Sequence, residues 1–266
     1  MLQEGRADRG GLFYGVVLPT TLAGAPVKAA ARYVLALGLL AALLLLVAGP
    51  GTRLGVWDFR SGFALMRWAA YAGLAAAALA LVMLLVRRTR RRGAGTLVVA
   101  LLLGLGVAWV PWNGMRQASK VPPIHDISTD TRRPPQFVAI LPLRADAPNP
   151  AGYGGAEVAT AQAEAYPDLQ TRRMGLAPAQ AFERALATAR DMDWEIVAAD
   201  PASGRIEATA TTLWFGFKDD VVIRVEADPT EPGGSRVDVR SVSRVGKSDV
   251  GTNARRIRAY LEMLGN

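Results

Sequence analysis

The chain has 266 residues, with 31 Lys and Arg against 23 Asp and Glu, one His and no Cys. This excludes disulfides, cysteine-ligated zinc, iron–sulfur clusters, thiol catalysis and any multi-histidine metal site, so no metal or cofactor is expected. The formal charge of +8 is uneven: residues 1–119 hold 13 basic and 3 acidic side chains, whereas residues 120–266 hold 18 and 20. A surplus confined to the half with the long apolar runs fits membrane topology, and nucleic acid is not an expected partner.

Residues 1–119 read as a membrane region with three transmembrane helices, at about 29–48, 68–86 and 95–112. A helix needs roughly 20 apolar residues to cross about 30 Å of hydrocarbon. The second run, Trp68 to Val86, meets that length without a charge. The first ends at Gly49-Pro50-Gly51, with Arg32 placed to snorkel toward headgroups. It reads as retained and not cleaved, because Gly-Pro-Gly-Thr-Arg follows it where a small-x-small site would be expected. The third, Leu97 to Trp112, is the shortest and carries Trp109 and Trp112 at its far end, where aromatic belts lie. Its row of Ala100, Gly104 and Ala108 suits close packing on a neighbouring helix.

Arg87, Arg88, Arg90, Arg91 and Arg92 fill the short loop between the second and third runs, and such loops stay cytoplasmic. Arg6, Arg9, Lys28 and Arg32 place the N-terminus on the same side. Three crossings then carry everything after Trp112 to the opposite side. The spans hold no ionisable residue at depth, which argues against transport.

Residues 120–266 read as a soluble α+β domain. From Lys120 to about Leu176 the chain is punctuated by Pro and Gly and reads as irregular, apart from a strand-like run at Phe137–Leu141. Pro178 then opens an amphipathic helix to about Met192, with Phe182, Ala185, Leu186 and Ala189 on one face. Strands are predicted at Trp194–Ala199, Arg205–Leu213, Lys218–Ala227 and Arg236–Val245, with a closing helix carrying Val250, Ala254, Ile257, Leu261 and Leu264. The expected fold is an antiparallel four-stranded meander with flanking helices packed on one face.

The runs Ile124–Asp130, Tyr166-Pro167-Asp168, Gly216–Asp220 and Asp238–Asp249 resemble the bacterial family of unknown function numbered 1499, over about Ile124 to Leu264. Membrane spans before the domain are similar to the arrangement in many members. The resemblance implies a membrane-associated protein and supplies no activity or catalytic residue.

Candidate ligand-binding residues are His125, Asp126, Asp219, Asp220, Arg240, Arg244 and Lys247. His125 beside Asp126 has the composition of a general base with a carboxylate, but neighbours on an extended segment point apart, and a loop-anchoring His is the plainer reading. Asp219 and Asp220 likewise alternate faces, so they cannot flank one substrate atom; one of them is placed to pair with Arg240 or Arg244. Arg224, Arg240 and Arg244 form either a cationic grip for an anion or a solvated face laced with Asp238, Glu207 and Glu226; the solvated face is preferred. Gly246-Lys247-Ser248 lacks the first Gly of a phosphate loop, and Ser248 or Asp249 reads as a helix cap. No catalytic residue is assigned. The expectation is an inner-membrane protein presenting a non-catalytic periplasmic domain to an envelope protein or an anionic ligand. The alternatives are an envelope hydrolase acting on an anionic substrate through His125, an Asp and the Arg face, or a lipid-handling protein with an apolar cavity between sheet and helices.

Overall fold

A computed structural model describes residues 25–265. Arg6 and Arg9, invoked above for topology, lie outside the described residues. Three helices open the chain: α1 (Ala25–Arg53), α2 (Phe59–Leu85) and α3 (Arg87–Ala118). All three are long and apolar enough to cross a membrane. At 1.5 Å per residue even α2, the shortest at 27 residues, reaches about 40 Å.

The helices outrun the apolar stretches that predict them, for local reasons. Asp58 starts α2 ten residues before Trp68 by accepting from the N–H groups of Arg60 (2.7 Å) and Ser61 (3.1 Å). α1 runs on through Pro50 to Arg53. There the Ala48 carbonyl accepts from Thr52 Oγ1 and Trp57 Nε1, each at 3.1 Å. α3 takes in the arginine run and kinks at Gly93 (φ −146°, ψ 15°), which separates that run from the apolar stretch.

α2 and α3 approach closely where Gly73 faces Gly104; a Cβ on Gly73 would sit 2.8 Å from the Gly104 carbonyl oxygen. Ala100 and Gly104 of the small-residue row are therefore used within the bundle. Leu39, Leu43, Leu46 and Leu102 face outward and exposed, as hydrocarbon-facing side chains do.

The C-terminal domain contains β1 (Asp126–Ser128), a 3-10 turn at Leu141–Arg144, α4 (Gly155–Ala165), β2 (Arg172–Met174), α5 (Pro178–Asp191), β3 (Glu195–Asp200), β4 (Arg205–Thr211), β5 (Lys218–Ala227), β6 (Ser235–Ser243) and α6 (Thr252–Gly265). β3 to β6 form the antiparallel meander. β1 and β2 extend it by pairing with opposite ends of β6, giving six strands. Helices α5 and α6 cover one face. Phe182, Ala185, Ile257 and Tyr260 pack there on Ile206, Val221, Ile223, Val237 and Val239. The period-two alternation in the strands places those residues together.

Two expectations are corrected. Phe137–Leu141 is not a strand; it runs into the 3-10 turn, and Phe137 and Ile140 bury against Val222 and Val242 on the second face of the sheet. That second face is not solvated. The proline-rich segment from Asp130 to Tyr153 lies over it, and Arg240, Glu207 and Asp220 are each 0% exposed. Proline has no N–H to give but keeps its carbonyl, so this segment offers acceptors to the arginines beneath it.

The domain also touches the helices. The β4–β5 loop, Thr212–Phe217, sits on the α1–α2 turn. Trp214 lies against Gly49, leaving no room for a Cβ there, and Phe215 lies against Gly62. Arg53 Nη1 donates to the carbonyls of Thr212 (3.1 Å) and Leu213 (2.6 Å). Phe63 contacts Phe215 at 5.0 Å between ring centroids, and Phe59 meets Phe217 at 6.0 Å.

Candidate functional site

The covered sheet face carries the densest charge in the domain. Arg240, on β6, donates to both carboxylate oxygens of Asp126 on β1, Nε to Oδ1 at 2.9 Å and Nη2 to Oδ2 at 2.8 Å. It also donates to the carbonyls of Pro135 (3.2 Å) and Ala151 (2.8 Å), and contacts the rings of Phe137 and Tyr153. Arg244 grips Asp220 through Nε (2.9 Å) and Nη2 (2.8 Å), and the Leu143 carbonyl through Nη1 (2.8 Å). Arg144, from the 3-10 turn, reaches Asp220 Oδ2 at 3.1 Å. Burial lowers the affinity of Arg144 for its proton; Asp220 opposes that shift, whereas Arg244 and Arg240 add to it.

Glu207 on β4 serves the same end with the opposite sign. Its carboxylate accepts from the N–H groups of Val138, Ala139 and Ile140 at 2.9 to 3.1 Å, and pairs with Arg205 Nε at 3.0 Å. Farther along, Arg224 joins Asp130 (2.8 Å) and Asp238 (2.7 Å) and donates to the Arg133 carbonyl (2.7 Å). Burial is the largest influence on Asp130 and acts upward, yet the Arg133 N–H and the Arg224 guanidinium hold its carboxyl below the ordinary range. The chemistry of this face is thus largely internal: carboxylates and carbonyls take most of the guanidinium donors, although Arg144 Nε and Arg224 Nε make no hydrogen bond, and the product is a pinned covering segment.

A second polar cluster lies on the helix face, at the start of α6. Asn253 accepts from Ser241 Oγ (2.7 Å) and donates to Ser243 Oγ and the His125 carbonyl, both at 3.0 Å. Arg256 pairs with Asp219 at 2.5 Å. Asp249 accepts from the N–H groups of Gly251 and Asn253, both at 2.7 Å. Burial raises its carboxyl above the ordinary range despite those bonds.

The sequence-named residues therefore separate. Asp126, Asp220, Arg240 and Arg244 meet on the covered face. Asp219 points to the other face, toward Arg256. The His125 ring has its Nδ1 3.3 Å from the Lys247 carbonyl and makes no hydrogen bond to Ser241, Ser243 or Asp219. Lys247 is exposed. Sequence reasoning missed Arg144, Tyr153, Asn253 and Arg256, which complete these clusters. It also missed the aromatic loop Trp214-Phe215-Gly216-Phe217, although three aromatics in a hairpin loop are a readable departure from ordinary turn chemistry.

Open surface remains at the end of the sheet away from the β4–β5 loop. One cleft of about 610 Å³ is lined by Asp130, Arg132, Gln170, Thr171 and Arg173 among others. A second, of about 500 Å³, is lined by Arg132, Arg133, Gln136, Ser203 and Arg205 among others. Arg132 is exposed and borders both. Neither cleft lies between the sheet and α5 or α6.

A family described as a protein of unknown function, DUF1499, matches residues 126–264, slightly more than half of the chain. The chain belongs to this family. No curated protein matches it. The DUF1499 match opens on the first residue of β1 and closes within α6, so it coincides with the sheet domain and leaves the three helices outside. Both partners of the Asp126–Arg240 pair and the whole covering segment fall inside the DUF1499 region.

Proposed function

We propose that this chain is a bacterial inner-membrane protein whose three helices span the bilayer and present a non-catalytic α+β domain to the periplasm. There the domain binds an envelope protein or an anionic ligand. The observation that carries the sidedness is the seating of the β4–β5 loop on the α1–α2 turn. It places the domain and that turn at one end of the bundle, with the arginine run at the other. An arginine-rich loop held in the cytoplasm then implies an external domain.

The non-catalytic reading rests on the fate of the charged groups. General acid–base chemistry needs a titratable group within hydrogen-bond reach of a substrate or nucleophile. Here Asp126, Asp219, Asp220 and Asp238 are taken up by arginines, Asp249 accepts from two backbone N–H groups, and His125 addresses a backbone carbonyl. The binding surface in this reading is the distal end of the sheet around Arg132, with its two open clefts.

Parallel C-terminal fusions to alkaline phosphatase and to a fluorescent protein test the sidedness. Phosphatase activity without fluorescence is expected; fluorescence without phosphatase activity overturns it. For the chemistry, a folded His125→Ala chain is expected to replace the unaltered one fully in a strain lacking it. A failure to do so overturns the non-catalytic reading.

A further inference from the structure

Three of the six residues in the β4–β5 loop are aromatic, and all three face the ends of the spans. Trp214 packs on Gly49, Phe215 on Gly62 and Phe63, and Phe217 stacks on Phe215 at 5.3 Å. Arg53 holds the loop backbone from below. This packing leaves the fourth apolar residue, Leu213, outside: it is 88% exposed. The adjoining turn leaves Leu54 at 78% and Val56 at 68% exposed. A leucine held out by a loop that is fixed on both sides loses the option of folding back into its own domain.

The height of these residues along the bundle identifies what covers them. The apolar stretch of α1 ends at Ala48, so the turn lies where hydrocarbon gives way to headgroups. Trp57 and Trp214 sit at that level, as interfacial tryptophans do, and Arg53 and Arg60 supply the cations that anionic headgroups attract. The outward leucines of α1, Leu39, Leu43 and Leu46, lead along the helix toward Leu54.

We propose that the β4–β5 loop is a second membrane contact: Leu213, with Leu54 and Val56, enters the boundary between headgroups and acyl chains, and the domain rests on the lipid surface. Its β4–β5 hairpin then rises from the bilayer. Arg224 lies six residues up β5 from Lys218, about 20 Å along the strand, so the distal clefts stand clear of the headgroups. The contact goes beyond the function proposed above and does not depend on which side of the membrane the domain occupies.

The absence of cysteine makes a direct test available. The full-length variants Leu213→Cys, Ala202→Cys in the distal β3–β4 turn and Leu43→Cys at mid-span are each labelled with an environment-sensitive fluorophore. All are reconstituted into phosphatidylcholine–phosphatidylglycerol vesicles with and without nitroxide-bearing lipid. Position 213 is an exposed side chain, so the label itself does not disturb the core. The expected result is blue-shifted emission at 213, quenched by shallow nitroxides, with Ala202→Cys water-like and Leu43→Cys quenched by deep ones. Water-like, unquenched emission at 213 overturns the proposal. Blue-shifted emission at 213 that lipid nitroxides do not quench also overturns it, because protein and not lipid then covers the loop. Depth quenching does not report sidedness, so failure here is distinguishable from failure of the periplasmic assignment.

Discussion

Asp126 and Arg240 stand 114 residues apart in sequence and form a buried two-bond ion pair between β1 and β6, with side-chain exposures of 6% and 0%. Breaking one side of such a pair strands the other charge away from water. Asp126→Ala is predicted to cost about 3–5 kcal/mol, whereas joint Asp126→Leu and Arg240→Met replacement recovers most of that loss. Denaturant unfolding of the reconstituted chain measures both. Equal losses from the single and the joint replacements would contradict the argument.

Glu207 is the acceptor for three consecutive backbone N–H groups, so its replacement acts on the covering segment before it acts on the sheet. Glu207→Gln turns one acceptor into a donor facing N–H groups, with a predicted cost of about 1–3 kcal/mol. Hydrogen exchange should quicken first at the amides of Val138, Ala139 and Ile140. Uniform quickening across β4 and β5 instead would mean that the carboxylate supports the sheet itself.

The meander was legible because Val221, Ile223 and Val225 alternate with polar residues, and Pro178 marks the start of α5. β1 and β2 were not legible: three residues are too few to show a period. α4, Gly155–Ala165, has no side-chain cap and only a weak apolar stripe, so it read as loop. The larger miss was the second sheet face. Alternation separates two faces, but it does not say whether charged residues meet water or counter-charges. Arg224 meets Asp238 and Arg244 meets Asp220, while Arg240 meets Asp126 and Glu207 meets Arg205, and the chain covers them. Of the candidate residues, His125 and Asp126 diverge as adjacent extended residues must; the convergence of Asp126 on Arg240 required the fold.

Tyr153 gives its ring to Arg240, but its buried hydroxyl has no hydrogen-bond partner. Burial, aided by Asp126, pushes the phenol from 10.0 up to about 12. A phenol whose folded value is raised stabilises the fold fully below pH 10.0 and loses that contribution as pH rises to about 12. Tyr153→Phe keeps the ring and removes the hydroxyl. It is predicted to leave neutral-pH stability unchanged or up to about 1 kcal/mol higher, and to flatten the alkaline loss in that window. Unfolding curves of both chains from pH 7 to pH 12 check the sign.

The seat of the β4–β5 loop depends on the missing Cβ at Gly49. Gly49→Ala favours the helix locally but pushes into the Trp214 ring, with a predicted overpacking cost of about 1–3 kcal/mol. The loop should then open more often, and chymotrypsin cleavage after Trp214 and Phe215 should rise roughly tenfold if cleavage follows the open population. Unchanged cleavage would mean that the loop is held without this contact.

The most direct test of the account is the compartment of the domain relative to the arginine run. Single-cysteine chains Ala202→Cys and Arg91→Cys are exposed to a membrane-impermeant maleimide, in intact spheroplasts and after lysis. Labelling of position 202 in intact spheroplasts, with position 91 labelled only after lysis, is the predicted result. Labelling of position 202 only after lysis would contradict the periplasmic domain, and labelling of both positions only after lysis would contradict the crossing of α3 as well.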